Sequence, residues 1–419
     1  MHVVLMTLGS AGDIHPFVRI GSELRERGHD VTLVTSDVFR PIAETAGFRF
    51  LSIASQQEHA EVSANSGLWK PRRGMAVFVR AVILAFMRRQ YAILKECADA
   101  GRCDVVIATA PCVGARIAQE NLRLNLITAH LAPFYFRSVY RNRKLPGVAI
   151  PDWAPRGLKH ALFRLGDFLG DVAFGGEIND FRAELGLRPV HRIFWDWWNS
   201  PQLVLGLFPA WFAPPQPDWP RQTHLAGFPF YDDARDKSLT PELEEFLNSG
   251  EPPIVFTPGT EMAHGVEFFE TSLAVVQQLK RRAIFLSRFV QQLPPNLPAE
   301  VRGFSYVPFS QLLPRCAAIV QHGGIGTTSY ALAAGIPQLV MPMGFDQPDN
   351  AFRVEQLGTG LTVLPRTYSV QRVTSLLETL LQSPRIRDRC RMVAGRLADG
   401  NGLQSACEQI ERVASPLAR

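Results

Sequence analysis

Short apolar runs of strand length alternate along this chain with stretches whose apolar residues recur every three to four positions. Residues 3–8 (VVLMTL) are the first such run, and Gly9-Ser10-Ala11-Gly12-Asp13 reads as a turn. Phe17, Ile20 and Leu24 then give 16–27 a helical period, which Gly28 ends. A second buried strand follows at 30–35 (DVTLVT). The alternation returns with a strand at 104–109 (DVVIAT), a helix at 113–121 and a strand at 124–129 (LNLITA). Strands spaced by helices predict right-handed βαβ crossovers and a parallel sheet covered on both faces.

The pattern breaks at 209–233, where six prolines exclude a helix interior or a central strand. It resumes with strands at 253–257, 283–287, 317–321 and 338–341 and helices at 268–280, 326–334 and 350–357. The expected fold is therefore α/β, with two Rossmann-like doubly wound parallel-sheet domains facing a central cleft. The expected boundaries are 1–215 for the first domain, 216–240 for a linker and 241–401 for the second. Ligands of such sheets bind at the carboxyl ends of the strands.

The 419 residues are 46% hydrophobic and 20% charged, enough to bury a core and too apolar for a disordered chain. The net charge of +5 is uneven: residues 1–230 carry 26 Lys and Arg against 20 Asp and Glu, the remainder 18 against 19. The densest basic run is Arg137, Arg141, Arg143 and Lys144. It reads as solvated surface ahead of a membrane or acceptor contact, and no nucleic-acid motif surrounds it. Six cysteines without a CxxC argue against a disulfide framework or a zinc site and for a reducing compartment. The first residues, MHVVLMTLGSAGD, lack the basic and small-residue pattern of a signal peptide. The apolar stretch 75–93 is interrupted by Arg80, Arg88 and Arg89, so it reads as an amphipathic helix over a core. A cytoplasmic location follows, with or without peripheral attachment to the inner membrane.

The most informative segment is QHGGIGTT, 321–328, between a strand and a helix. Its glycines allow close backbone approach and its helix start presents free N–H groups. His322, Thr327 and Thr328 add donors, as a pyrophosphate cradle requires. A Gly-rich structural turn is the competing reading, and the segment is neither a GxGxxG nor a P-loop. Asp346 and Gln347 set a carboxylate beside an amide, which suits a polyol, or else they begin the next helix. At the end of the first strand Asp13 and His15 are candidate bases for an alcohol, or Asp13 caps the helix that follows.

Taken together, GSAGDIHPF and QHGGIGTTSYALAAGIPQLVMPMGFDQPDNA resemble the nucleotide-sugar-dependent inverting glycosyltransferases of the two-Rossmann (GT-B) type, over nearly the whole chain. The resemblance implies that Asp13 is the general base, with His15 in reserve and Ser10 beside it. It implies that His322, Gly323, Gly324, Gly326 and Thr327 hold the diphosphate, with Gly259 and Thr260 as a second phosphate loop. Asp346 and Gln347 would touch the donor sugar, and Tyr306 and Val307 would line the nucleobase, where many relatives carry a tryptophan. No cofactor or metal is implied. The C-terminal segment 402–419, helical over about 402–413, would pack back on the first domain.

Within that family, GSAGD, LFPAWFAPP followed by DWP, GFP and LLPRCAAIVQHGGIG are similar to rhamnosyltransferases that build glycolipids. They imply a dTDP-L-rhamnose donor and an apolar acceptor of the β-hydroxyalkanoyloxy-alkanoate kind. UDP-glucose with a terpenoid, sterol or polyketide alcohol is the alternative. Trp69, Phe78, Phe134, Tyr135, Phe136, Trp195, Trp197, Trp198 and Trp211 suit a large apolar acceptor, although a core would use them equally well. A sugar-nucleotide 2-epimerase shares the architecture but needs no acceptor site, and a non-catalytic sugar-nucleotide-binding subunit would not need Asp13, His322, Asp346 and Gln347. An NAD dehydrogenase fits least well, since no GxGxxG follows the first strand and no suitable acidic residue accompanies it.

Overall fold

A computed structural model describes residues 1–69, 73–141, 144, 150–151, 153–231, 239–260, 262, 265–398 and 400–415. Two compact units emerge: Met1–Pro229 together with the described residues from Asn401 on, and Phe230–Gly400.

The sheet of the first unit contains β1 (His2–Met6), β2 (Asp30–Ser36), β3 (Arg49–Ala54), β4 (Val105–Thr109), β5 (Leu126–His130), β6 (Leu203–Gly206) and β7 (Thr223–Leu225). Their order is β3-β2-β1-β4-β5-β6-β7, every pairing parallel. The second unit has β8 (Ile254–Thr257), β9 (Ala283–Leu286), β10 (Val301–Phe304), β11 (Ala318–Gln321), β12 (Gln338–Val340) and β13 (Gly360–Thr362). Its order, β10-β9-β8-β11-β12-β13, repeats the 3-2-1-4-5-6 order of the first, again all parallel. The doubly wound α/β class read from the sequence is therefore the observed one. Strands β4, β5, β6, β8, β9 and β11 are buried along their whole length, as expected of sheets covered on both faces.

Several boundaries differ from the periodicity. The first helix runs Ala11–Glu26, five residues earlier than its apolar period, because Ser10 and Asp13 form a capping box there. The Pro-rich stretch is not all linker, since β7 lies inside it and pairs with β6, so the first unit extends to Pro229. Residues 232–238 and 416–419 of the expected linker and C-terminal segment lie outside the described residues, as does Arg143. The helix Gly402–Ala414 belongs to the first unit. Its Glu411 accepts from Arg27 at 3.3 Å and pairs with His29 at 3.0 Å.

Arg137 corrects the solvated reading of the basic run. Its guanidinium grips the buried carboxylate of Asp167 through two bonds, at 2.5 and 2.9 Å, and lies 4.9 Å from the Phe163 ring centroid. The helical stretch around 75–93 passes through a π-helical segment, Val79–Leu84, into Ala85–Asp99. Its Phe86, Met87, Tyr91 and Leu94 are buried in the first core.

His130, at the end of β5, is 1% exposed, bonds Asn199 at 2.8 Å and stacks on Tyr135. Burial pushes its pKa down from 6.5 to about 4. Between those values the unfolded chain binds a proton that the folded one does not, so stability falls as pH drops from 6.5 towards 4. The His130 contribution is roughly 3 kcal/mol. Urea unfolding of wild type and His130→Gln at pH 7.5 and pH 4.5 checks this. The variant should lose less stability between the two, and equal losses would contradict the assignment.

Candidate active site

In each sheet the strand order reverses once, between β1 and β4 and between β8 and β11, and the loops leaving those strands diverge to open a crevice at the carboxyl edge. The Gly9–Asp13, Pro258–Thr260 and His322 loops leave β1, β8 and β11, while the Asp346 loop follows β12 and Tyr306 follows β10.

In the second unit, Gln321 ends β11 in register with Thr257 at the end of β8. This places the His322 loop beside the Pro258-Gly259-Thr260 turn. The imidazole of His322 lies between two glycines. A Cβ on Gly259, whose φ is +101°, would stand 2.8 Å from its Cε1, and a Cβ on Gly324 would stand 2.5 Å from its Nε2. Neither position accepts a larger residue without moving the ring. The Nδ1 of His322 is buried with no hydrogen-bond partner. Burial pushes the imidazole down to a pKa of about 4, so at neutral pH it is uncharged and donates through a single N–H.

The helix Ile325–Ala334 begins immediately after, with Gly324 at its N-cap and Thr328 N making the first return bond, to Gly324 O at 3.0 Å. The N–H groups of Ile325, Gly326 and Thr327 therefore have no partner within the helix. A Cβ on Gly326 would meet nothing within 4 Å. Packing does not demand glycine there, and alanine would be the better helix former by about 1 kcal/mol. An open helix start, free donors and an orphaned buried nitrogen fit a diphosphate.

The cradle is held from behind by buried amides. Gln321 Nε2 donates to Thr328 Oγ1 at 3.1 Å and to Gln338 Oε1 at 3.0 Å, and Gln321 Oε1 receives Gly323 N at 2.6 Å. Asn350 Nδ2 donates both to Gly323 O, at 2.9 Å, and to Asp346 Oδ2, at 2.7 Å. One amide thus ties the cradle to the Asp346 loop. Asp346 is the N-cap residue of the helix Gln347–Leu357, and the preceding Phe345 holds a left-handed φ of +52°. Strain of this kind collects at binding loops. Gln347 is buried, and its Oε1 accepts from Met343 N at 2.8 Å and Gly344 N at 3.0 Å. Its carbonyl end is committed to shaping the loop, which leaves only its NH2 for a ligand. Tyr306, 45% exposed, follows β10, whereas the side chain of Val307 packs into the core and Thr260 is exposed.

In the first unit the Asp13 carboxylate accepts from Ser10 N at 2.8 Å and Ser10 Oγ at 3.1 Å through one oxygen, Oδ2. Ser10 is the N-cap and Asp13 stands three residues inside, so the capping role expected of Asp13 falls to Ser10. Gly9, at φ +138°, leaves room for this carboxylate. Asp13 and His15 are both half-buried.

A pocket of about 380 Å³ opens in the same unit, lined in part by Tyr135, Phe136, Trp195 and Trp219 together with Arg137 and Arg192. The segment carrying Tyr135 and Phe136 leaves the carboxyl end of β5, on the sheet edge that bears Asp13, two strand spacings or roughly 10 Å along. Of the aromatics singled out for an acceptor, Phe134, Phe136 and Trp198 are buried. The Trp69 side chain lies outside the described residues. Sequence reading missed Gln321, Gln338 and Asn350, whose roles depend on partners brought together by folding.

Both units are doubly wound with all-parallel sheets, the architecture of the GT-B glycosyltransferases, and comparison with known proteins agrees on that fold. Residues 3–141 match the glycosyltransferase family 28 N-terminal domain. Residues 283–407 match the erythromycin biosynthesis protein CIII-like C-terminal domain. An O-mycaminosyltylonolide 6-deoxyallosyltransferase of Streptomyces fradiae is 29% identical, covering 98% of this chain and 97% of the relative. A sterol 3-beta-glucosyltransferase of Saccharomyces cerevisiae is 26% identical over 97% of this chain, which spans 34% of that longer protein. Among solved structures, the glycotransferase of kitacinnamycin superposes with a TM-score of 0.75 at 20% identity, covering 99% of each chain. Spinosyn rhamnosyltransferase complexed with thymidine diphosphate gives 0.69 at 16%, covering 98% of this chain and all of the other. The chain is a glycosyltransferase of the GT-B fold, similar to family 28 and to the erythromycin CIII proteins.

Proposed function

We propose that this enzyme moves L-rhamnose from dTDP-L-rhamnose, with inversion, onto the hydroxyl of an apolar acid such as a β-hydroxyalkanoyloxy-alkanoate lipid. The observation that carries the donor half is the orphaned Nδ1 of His322 beside an open helix start at Gly326. His322 and the N–H groups of Ile325, Gly326 and Thr327 meet the charge that develops on the leaving diphosphate, and the reading needs no metal ion. Asp346 and the Gln347 amide address the sugar hydroxyls, and the exposed ring of Tyr306 offers a face to the base. Asp13 takes the acceptor proton as the oxygen attacks the anomeric carbon, with His15 the other candidate. The thymidine diphosphate bound to spinosyn rhamnosyltransferase and the deoxysugar named for the Streptomyces fradiae relative favour a dTDP-deoxyhexose.

The pocket favours the acceptor half. Its aromatic walls suit an acyl chain. A UDP-glucose enzyme acting on a sterol, terpenoid or polyketide alcohol is the second reading, favoured by the sterol glucosyltransferase relatives. Mass spectrometry of products from dTDP-L-rhamnose and UDP-glucose, each offered a β-hydroxy fatty acid and a sterol, separates the two. Rhamnosylated fatty acid is expected. Glucosylated sterol as the sole product would overturn the first reading in favour of the second.

A further inference from the structure

The pocket of about 380 Å³ in the first unit carries more positive charge than its acids answer. Among the described residues, the guanidiniums that line it are those of Arg137, Arg164, Arg192 and Arg221. Two of them are committed. Arg137 grips the buried Asp167, while Arg192 reaches the same carboxylate at 3.2 Å and pairs with Asp196 at 2.7 Å. The other lining acid, Asp218, accepts from the backbone N–H of Val139 at 2.8 Å. Arg164 and Arg221 have no acid, carbonyl or ring partner among the described residues, and neither has His160, which lines the same pocket.

Two separate elements bring these side chains to one cavity. On the helix Arg156–Glu184, residues His160, Phe163, Arg164 and Asp167 fall within roughly 100° of arc at the helical period, so the free cation stands beside the Phe163 wall. Arg221 comes from the loop ahead of β7, two residues after the buried Trp219 that also lines the pocket. Arg164 and Arg221 are both exposed, so an anion held by them keeps part of its hydration. Aromatic walls alone would take any apolar alcohol. Walls joined to two uncommitted guanidiniums match an amphiphile with one anionic head, since the planar fork of arginine pairs with a carboxylate through parallel bonds.

We propose that Arg164 and Arg221 hold the carboxylate of an amphiphilic acid whose chain lies against the aromatic walls, and so select acids over their esters. The proposal rests on the acceptor half of the proposed function for taking that acid to be the acceptor. Calorimetry on the full-length protein with 3-hydroxydecanoic acid and with its methyl ester tests it, both below their micellar concentrations at pH 7.5 and low salt. Wild type should bind the acid roughly tenfold more tightly than the ester, about what two exposed ion pairs supply. The preference should shrink at high salt. An Arg164→Gln, Arg221→Gln variant should bring the acid down to the affinity of the ester and leave the ester where it was. Its melting temperature should match wild type, because neither guanidinium has a partner to lose. Equal binding of acid and ester by wild type, no binding of either, or an unchanged preference in the variant would overturn the proposal. The acceptor reading fails by a different result: an acid that binds with the expected preference and is not glycosylated.

Discussion

Asp13→Asn should lower turnover by roughly 10²–10⁴-fold while leaving nucleotide affinity unchanged, the range expected when a positioned base is lost. The asparagine is the informative replacement because of what Asp13 does structurally. Its Oδ2 closes the capping box with Ser10 N and Oγ, at 2.8 and 3.1 Å. An asparagine keeps an oxygen to accept those bonds, so Ala11–Glu26 remains capped, whereas alanine would add about 1 kcal/mol of instability to any catalytic loss. The experiment is steady-state kinetics with dTDP binding measured on the same preparation. Wild-type turnover in Asp13→Asn, together with loss in His15→Ala, would move the base to His15.

His322→Ala should cost roughly 10²–10³-fold in kcat, as removal of one donor to developing charge does in other enzymes. It should weaken dTDP as well, because in the proposed site the ring touches the diphosphate before and after transfer. The pH dependence separates this from a packing defect. In the free enzyme burial holds the imidazole at a pKa of about 4. A bound dianion favours the imidazolium, so binding raises that value and takes up a proton, and affinity rises as pH falls through the bound pKa. Calorimetry at pH 6 and pH 8 should show a steeper affinity gain for wild type than for His322→Ala, whose remaining gain comes from the nucleotide alone. Parallel gains would mean that the ring does not face the diphosphate.

The apolar runs announced the central strands because buried parallel strands are apolar throughout, and β1, β2, β4, β5, β8, β9, β11 and β12 lie within a few residues of their sequence positions. The edge strands β3, β7, β10 and β13 carry three to six residues with mixed exposure, too little pattern to read alone. The helix Arg156–Glu184 escaped for two reasons: five glycines depress its propensity, and its leucines point at solvent while Lys159 and Asp167 point inward. Periodicity assumes that water owns the polar side.

The site was legible where chemistry follows from adjacency along the chain, as in QHGGIGTT. It was not legible where it follows from contact: the clamp of Gly259 on His322 joins residues 63 positions apart, and the Gln321, Thr328 and Gln338 network needs three elements. Gln347 shows the limit from the other side. Its position beside Asp346 suggested a sugar ligand, whereas its oxygen serves the backbone of its own loop.

The claim on which the rest depends is that the His322–Thr327 cradle holds a nucleoside diphosphate. Thermal melting with dTDP, UDP, GDP and NAD at matched concentrations tests it most directly, since a ligand at about 100 times its Kd stabilises a folded protein by roughly 2.7 kcal/mol. The account predicts a clear upward shift with dTDP, smaller shifts with UDP and GDP, none with NAD, and loss of the dTDP shift in His322→Ala. No shift with any nucleotide would contradict it.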